Sequence, residues 1–349
     1  MKHTKFYGGL CALVMILLTS LSAAAQELTV KTVSFLKPGE KGVLAIGLKN
    51  AIEVDGFQAK IHLPEGISFV QSETNEKRCV INKTDRTQKG WSLFLQKAPE
   101  NSAVMMCVGG SVKAGEGDVV TFDVMVDENY TGAKEINLDL IEISEKDGEL
   151  FKPAEVTGKV CSTEDQMLVN GTIAPLKVDE PQTVTINLDF EKVTMNAAAF
   201  FVELPQGLKY VEGSETAGPI CGNHDAACKK GQFTLLWSDF SEDPTFLANK
   251  GELASFQVVA DETFVSGSKI RISNVKATTY DENRKVVEYY AEDFDIEVTM
   301  DNATGINGID AAAEGADGIY QINGVRTDKM QRGVNVVVKN GKAIKVVKK

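Results

Sequence analysis

The sequence predicts an all-β chain: two tandem β-sandwiches, each of about eight or nine short strands, followed by a small C-terminal β-hairpin module. Three observations carry this. Apolar residues alternate with a period of two through most of the chain, the pattern of half-buried strands. The chain also repeats itself in order, and its composition changes abruptly near residue 302. With 43% hydrophobic and 25% charged residues the chain can bury a core, so disorder is excluded as its general state. A formal charge of −12 argues against a nucleic-acid binder that works by neutralising phosphates.

Residues 1–25 read as an export signal. Lys2, His3 and Lys5 form a basic start, Leu10 to Leu18 is an apolar run, and Ala23 to Ala25 offers a cleavage site before Gln26. The run is about half the ~20 residues needed to cross a bilayer, and no later segment is apolar enough to do so. The mature protein is therefore expected to be secreted or displayed at the outer cell surface, with the periplasm as the other destination.

The first sandwich is expected over 26–161 and the second over 166–301. Leu63, Pro64, Gly66 and Val70 match Leu204, Pro205, Gly207 and Val211 at an offset of 141, and Lys89-Gly90 matches Lys230-Gly231. Phe122, Asp127-Glu128, Ile136 and Asp147 match Phe256, Asp261-Glu262, Ile270 and Asp281 at an offset of 134. Ordered matches of this kind indicate duplication, and two copies indicate tandem domains. Within them, Val184, Ile186, Leu188 and Phe190 alternate with polar residues, as do Val120, Phe122, Val124 and Val126. A slip of one residue would expose either row, so register is specified. Leu-Pro-x-Gly ends its strand because proline lacks a ladder donor and glycine supplies turn conformations.

Residues 302–318 read as an Ala-, Gly- and Asp-rich linker, and 319–349 as the hairpin module. From Arg326 onward there are eight basic residues and one acid, whereas the chain between 26 and 325 carries 27 basic and 48 acidic ones. Gly333 to Lys339 and Lys342 to Val347 flank Asn340-Gly341, a favoured two-residue hairpin turn.

After residue 25 the cysteines are Cys79, Cys107, Cys161, Cys221 and Cys228. In an oxidising compartment the short Cys221–Cys228 loop is the easiest to close, with Cys79–Cys107 as a second pair and Cys161 left free. Paired CxxC units are absent, so a zinc site is not expected. Calcium at Asp281-Glu282-Asn283 lacks a ligand motif, and that turn reads as structural. No cofactor is implied.

No catalytic residue is assigned. The nucleophile elbow, the zincin helix, the phosphate loop and the dinucleotide fingerprint are all missing. Acid pairs such as Glu242-Asp243 fall in turn-like stretches. His62 has Glu203 as its repeat counterpart, which suits a surface residue better than a base. Trp91 and Trp237 invite a sugar-binding platform, yet they do not align with each other in the repeat and both lie in apolar strands, where core packing is the commoner use.

The order of motifs in Gly56 to Val70 with Gly117 to Ile143, and in Ala198 to Val211 with Gly251 to Thr278, resembles the cohesin domain and related carbohydrate-binding modules. The resemblance covers about 28–160 and 166–300. It implies jelly-roll sandwiches and a scaffold role, in which one sheet face binds another extracellular protein module. The alternative it leaves open is capture of polysaccharide. The tail resembles the C-terminal modules of proteins exported by the type IX secretion system, which would place the protein at the surface of a Gram-negative cell. Gly333-Val334-Asn335 lacks the tyrosine of that pattern. A docked hairpin whose lysines guard an edge is the competing reading.

Overall fold

A computed structural model describes residues 26–146, 148–237, 245–301, 318–321, 325–339 and 342–348. The export signal, residues 302–317 of the expected linker, Glu242-Asp243 and the Asn340-Gly341 turn lie outside these residues, while Gly318, the last residue of that linker, already begins a strand. Among those described, the structure is strands joined by turns, with two short 3-10 turns.

The first sandwich packs two sheets. One has the order β1 (Glu27–Val30), β3 (Lys41–Asn50), β11 (Gly115–Val126), β5 (Ile67–Phe69), with β8 (Ile81–Lys83) also on β11. The other runs β2 (Val33–Leu36), β14 (Val156–Ser162), β12 (Ala133–Glu145), β4 (Val54–His62), β10 (Ser102–Val112), β9 (Ser92–Ala98), β7 (Asn75–Cys79), β6 (Gln71–Ser72), with β13 (Leu150–Phe151) on β12. Their inward rows form one core, in which Phe122, Ile46, Leu138 and Met105 are fully buried. Removing so many large side chains from water is the main stabilising term.

The second sandwich repeats the plan in one continuous order. It runs β18 (Leu208–Tyr210), β22 (Lys250–Ala260), β16 (Gln182–Asp189), β15 (Gln166–Ile173), β24 (Val286–Ala291), β23 (Ser268–Tyr280), β17 (Ala197–Glu203), β21 (Gln232–Trp237), β20 (His224–Lys229). β19 (Thr216–Ala217) adds to β22 and β25 (Phe294–Val298) to β23. β15 joins the two layers, because Gln166 and Met167 pair with β24 while the rest of the strand pairs with β16.

The duplication holds at the level of register around the Leu-Pro-x-Gly turns, but the match of Lys89-Gly90 with Lys230-Gly231 does not: the first leads into β9, the second into β21, which pairs with β17 as β10 pairs with β4. Ile67 faces Val126 as Leu208 faces Ala260, and His62 faces Asn137 as Glu203 faces Arg271. The Leu-Pro-x-Gly turns match as well: Gly66 and Gly207 sit at φ +88° and +81°, where a side chain is strained. Each Gly carbonyl accepts from the amide of Asp127 or Asp261 at 2.9 Å.

The sandwiches are joined by a short 3-10 turn, Thr163–Asp165. Asp165 ties the two together, accepting from Gly132 N at 2.6 Å and pairing with Lys192 at 2.8 Å. Val33, Cys161 and Tyr290 form a small apolar cluster at the same junction. Residues 300–349 make a separate compact unit. It holds β26 (Gly318–Gln321), β27 (Arg326–Thr327), β28 (Gly333–Lys339) and β29 (Lys342–Lys348). The expected hairpin is β28–β29, but it is half of a four-stranded sheet of order β27-β26-β28-β29, not a free-standing pair. Asn335, buried in β28, holds the preceding loop by donating to Gln331 O at 2.7 Å and accepting from Gln331 N at 2.9 Å.

The cysteine pairing does not form; all five described cysteines are free thiols. Cys221 ends a 3-10 turn with its thiol donating to Leu253 O at 3.2 Å, whereas Cys228 lies well along the extended β20. Four residues of strand alone separate His224 from Cys228 by ~13 Å, too far for a bridge back to Cys221. Cys79 on β7 and Cys107 on β10 have β9 between them, so two ladder spacings of ~4.8 Å hold them apart. Burial pushes the thiols of Cys107, Cys161 and Cys221 up to about 12. They behave as small apolar core residues.

Candidate interaction surface

The outer face of the larger sheet of the first sandwich is the most distinctive surface of the molecule. In β10 the inward row is Ala103, Met105 and Cys107, all fully buried. Its outward row is also apolar: Val104, Met106 and Val108 are 38%, 41% and 39% exposed. Register places Gln96, Phe94 and Ser92 of β9 beside them on one flank, and Lys60, Gln58 and Gly56 of β4 on the other. One strand further out, Asp139 lies beside Lys60 and Glu142 beside Gln58. On the opposite flank Arg78 of β7 lies beside Gln96, and its guanidinium stacks over the Phe94 ring at 4.9 Å from the centroid.

The acids of this face have partners within the chain, and its cations do not. Glu142 accepts from Gln58 at 2.8 Å and pairs with Lys152 at 2.5 Å. Asp139 Oδ1 lies 3.2 Å from His62 Nε2. Among the described residues Lys60 makes no ion pair, and Arg78 makes only its ring contact. His62 Nε2, Asn137 Oδ1 and Asp139 Oδ1 are shielded from water yet lack an aligned hydrogen-bond partner. Buried polar atoms are normally satisfied by protein or by ordered water, so this corner can take further hydrogen bonds.

Leu140 borders the same face. It occupies a bulge of β12 at φ +48° and is 71% exposed. Its counterpart in the second sandwich, Asn274, takes φ +51°. Asparagine tolerates this region because its short polar side chain bonds locally, whereas leucine is strained there. An exposed, strained apolar residue two strands from an exposed apolar row is a combination that folding does not require.

The second sandwich lacks this surface. Leu235 faces Ala198 as Cys107 faces Phe57, so Gln232, Thr234 and Leu236 stand where Val104, Met106 and Val108 stand. Phe201 replaces Lys60, and Ser273 replaces Asp139. Its charges are spent on each other: Arg271 pairs with Asp293 and Asp295, each at 3.1 Å, and Lys276 with Glu288 at 3.0 Å.

The tryptophans do not form a sugar platform. Trp91 is 3% exposed, packed on Phe57 at 5.3 Å between centroids and lying against Gly110, where a Cβ would come within 2.3 Å of the ring. Trp237 is half-buried at the end of β21, opposite His224. His224 is itself buried, with Nε2 2.7 Å from Asn196 O. One cleft brings together a phenol, a carboxylate and a thiol, those of Tyr210, Glu215 and Cys228. There the Tyr210 hydroxyl donates to Glu215 at 2.5 Å, and burial raises both phenol and thiol, so neither is ionised near neutral pH. Among the described residues no group of three or more His, Cys, Asp or Glu could hold a metal ion. The Asp281 carboxylate accepts from the amides of Asn283 at 2.9 Å and Lys285 at 2.8 Å, which closes its own turn.

The outward row of β10 is not visible from the sequence. Ala103 to Val108 is apolar at every position, so no alternation marks which side is exposed. Nor does the repeat reveal it: an offset of 141 sets Gln232 against Trp91, and only the pairing of β10 with β4 and of β21 with β17 relates Val104 and Met106 to Gln232 and Thr234.

No protein-family model matches the chain, and no curated protein matches it. Solved structures similar to it include a type II cohesin dyad from an adaptor scaffoldin of Acetivibrio cellulolyticus, at 11% identity over 78% of this chain and 98% of that one, TM-score 0.45. A non-cellulosomal cohesin from the archaeon Archaeoglobus fulgidus is similar at 15% identity over 40% of this chain and 92% of that one, TM-score 0.31. A cohesin from a type I cohesin–dockerin complex of Clostridium thermocellum is similar at 15% identity over 39% of this chain and 98% of that one, TM-score 0.32.

Proposed function

We propose that this is an exported, non-catalytic protein-interaction module, and that it engages folded protein through the outer face of β9, β10, β4 and β12 in the first sandwich. The observation that carries the reading is the apolar row Val104-Met106-Val108, set between Lys60 and Arg78, which make no ion pair among the described residues, on a sheet face that folding alone would make polar. The counterpart row Gln232-Thr234-Leu236 shows what this position looks like without that demand. Export rests on residues 1–25 and surface display on the resemblance of the tail. A sugar-binding role has no exposed flat ring to support it in either tryptophan.

The test is a photo-crosslinking side chain placed at Met106, with the same group at Thr234 as control. Capture of an identified protein from Met106 but not Thr234, with measured binding lost in Met106→Glu and kept in Thr234→Glu, is the expected result. Equal capture at both positions, or binding untouched by Met106→Glu, would overturn the assignment of the face.

A further inference from the structure

We infer that the first occupant of this face is the same face of a second copy, so that the interaction is homotypic. The inference rests on the reading of the face given above and adds the identity of the partner. The geometry points to it through a single row of the sheet. Arg78, Gln96, Val104, Lys60 and Asp139 lie side by side on β7, β9, β10, β4 and β12. β10 is the middle strand of the five. Arg78 and Asp139 are thus displaced from it by two strand spacings each, about 9.6 Å, in opposite directions.

A two-fold axis running along β10 between two facing copies does three things. It lays Val104, Met106 and Val108 on their own counterparts. It sets Gln96 over Lys60, a hydrogen-bonding pair. It also brings Arg78 of each copy over Asp139 of the other, forming the same ion pair twice. An interface between identical patches has to be self-complementary in this way, with each contact made in duplicate. The charge order of the row, cation at one end and anion at the other, meets that condition, whereas two acidic ends would repel.

Shape agrees with charge. Leu140 stands proud on the β12 flank, two strands from β10. On the other flank, at the edge of the sandwich, a cleft of about 400 Å³ is lined by Arg78 and Phe94 and by the core-edge residues Cys79, Ile81, Leu93 and Leu95. The two-fold relation sets each Leu140 over the β7 flank of the other copy, where Arg78 and Phe94 line the outer wall of that cleft. The strained leucine, which sandwich two replaces with Asn274, then has an apolar role at the interface.

The expected strength follows from size. Seven residues of β10 by five strands cover about 24 Å by 19 Å, so two copies bury on the order of 900 Å² together. That is the low end for specific association, and a dissociation constant of roughly 10–500 μM is expected. A face of this strength would be cooperative only where copies are concentrated, as on a shared surface.

The experiment is sedimentation equilibrium of the chain from Gln26 onward, over roughly 5 μM to 1 mM. The expected mass rises from one chain towards two, and Met106→Glu stays at one. Should that variant fail to fold, Met106→Ser carries the same test, since its counterpart is already Thr234. Arg78→Asp alone and Asp139→Arg alone each set like charges opposite one another twice, and each should weaken the dimer about tenfold or more. Mixed in equal amounts, they form a heterodimer with two ion pairs again, Asp139 with Arg78 as in the parent and the aspartate introduced at position 78 with the arginine introduced at position 139, and the mass should recover. A single-chain mass at every concentration overturns the inference. So does a dimer that survives Met106→Glu, or a mixture no tighter than either variant alone. Any of these would leave the wider reading standing if Met106 still captured a different protein, and that reading fails separately if it captures nothing.

Discussion

Replacing Leu140 by asparagine should stabilise the first sandwich while removing an apolar side chain, an outcome opposite to the usual one. At φ +48° the backbone of Leu140 lies in the left-handed region, where an L side chain costs roughly 1–2 kcal/mol and asparagine costs much less. The residue is 71% exposed, so truncation forfeits only about 0.5 kcal/mol of the ~2 kcal/mol that full burial of a leucine provides. The net gain is about 0.5–1 kcal/mol. For a domain of this size that corresponds to a rise in melting temperature of roughly 1–4 °C, and to a higher urea midpoint with unchanged slope. Asn274, in the matching bulge of the second sandwich, serves as the internal precedent. Differential scanning calorimetry and urea titration of parent and variant settle the matter. A loss of more than about 0.5 kcal/mol would refute the reasoning, because it would mean that Leu140 is packed or its backbone unstrained. The same substitution should weaken self-association, so stability and binding would move in opposite directions.

Three further outcomes are expected. Trp91→Ala empties a fully enclosed site against Phe57 and Gly110 and should cost about 3–5 kcal/mol, read as a lowered urea midpoint; a change below 1 kcal/mol would show that the ring is not core. The buried thiols of Cys107, Cys161 and Cys221 are raised from 9.0 to about 12. Their contribution is therefore complete below pH 9 and is lost as pH climbs towards 12, while the unfolded chain ionises first. The urea midpoint should fall steadily above pH 9, and replacing Cys107 with alanine should flatten that fall; a midpoint independent of pH up to 11 would contradict the burial. A chain ended at Asp301 should keep the cooperative unfolding of both sandwiches, since the tail is its own compact unit. Melting of the second sandwich on truncation would show that the tail supports it.

The parts of this fold legible in the sequence were those with one wet and one dry face. Val184, Ile186 and Leu188 alternate with polar residues and are inward in β16, and the matching Leu-Pro-x-Gly turns place Gly66 and Gly207 in the same backbone conformation. The interaction face was illegible for the complementary reason: β10 is apolar on both sides, so its period vanishes and only comparison with β21 reveals the outward row. Cysteine spacing misled because seven residues are a short loop only if the chain bends back. Here an extended strand carries Cys228 away. The tail was half legible, since Asn-Gly announces a hairpin but nothing local announces the two strands that flank it.

The neighbouring strands β2 and β14 run parallel, pairing Val33 with Lys159 through Leu36 with Ser162. They are also strands near the entry and at the exit of the first sandwich, which gives the pairing a mechanical meaning. A pull applied at Thr32 and Thr163 slides one strand lengthwise along the other, so the rungs between them share the load and must fail together. A pull across the antiparallel pair β12–β14, from their adjoining ends at Ala133 and Cys161, peels the rungs apart one at a time. Single-molecule stretching through the first pair of points should therefore need the greater force, and equal rupture forces would contradict the topology. A protein loaded along its chain by something it holds would be strongest in the direction in which it is tethered.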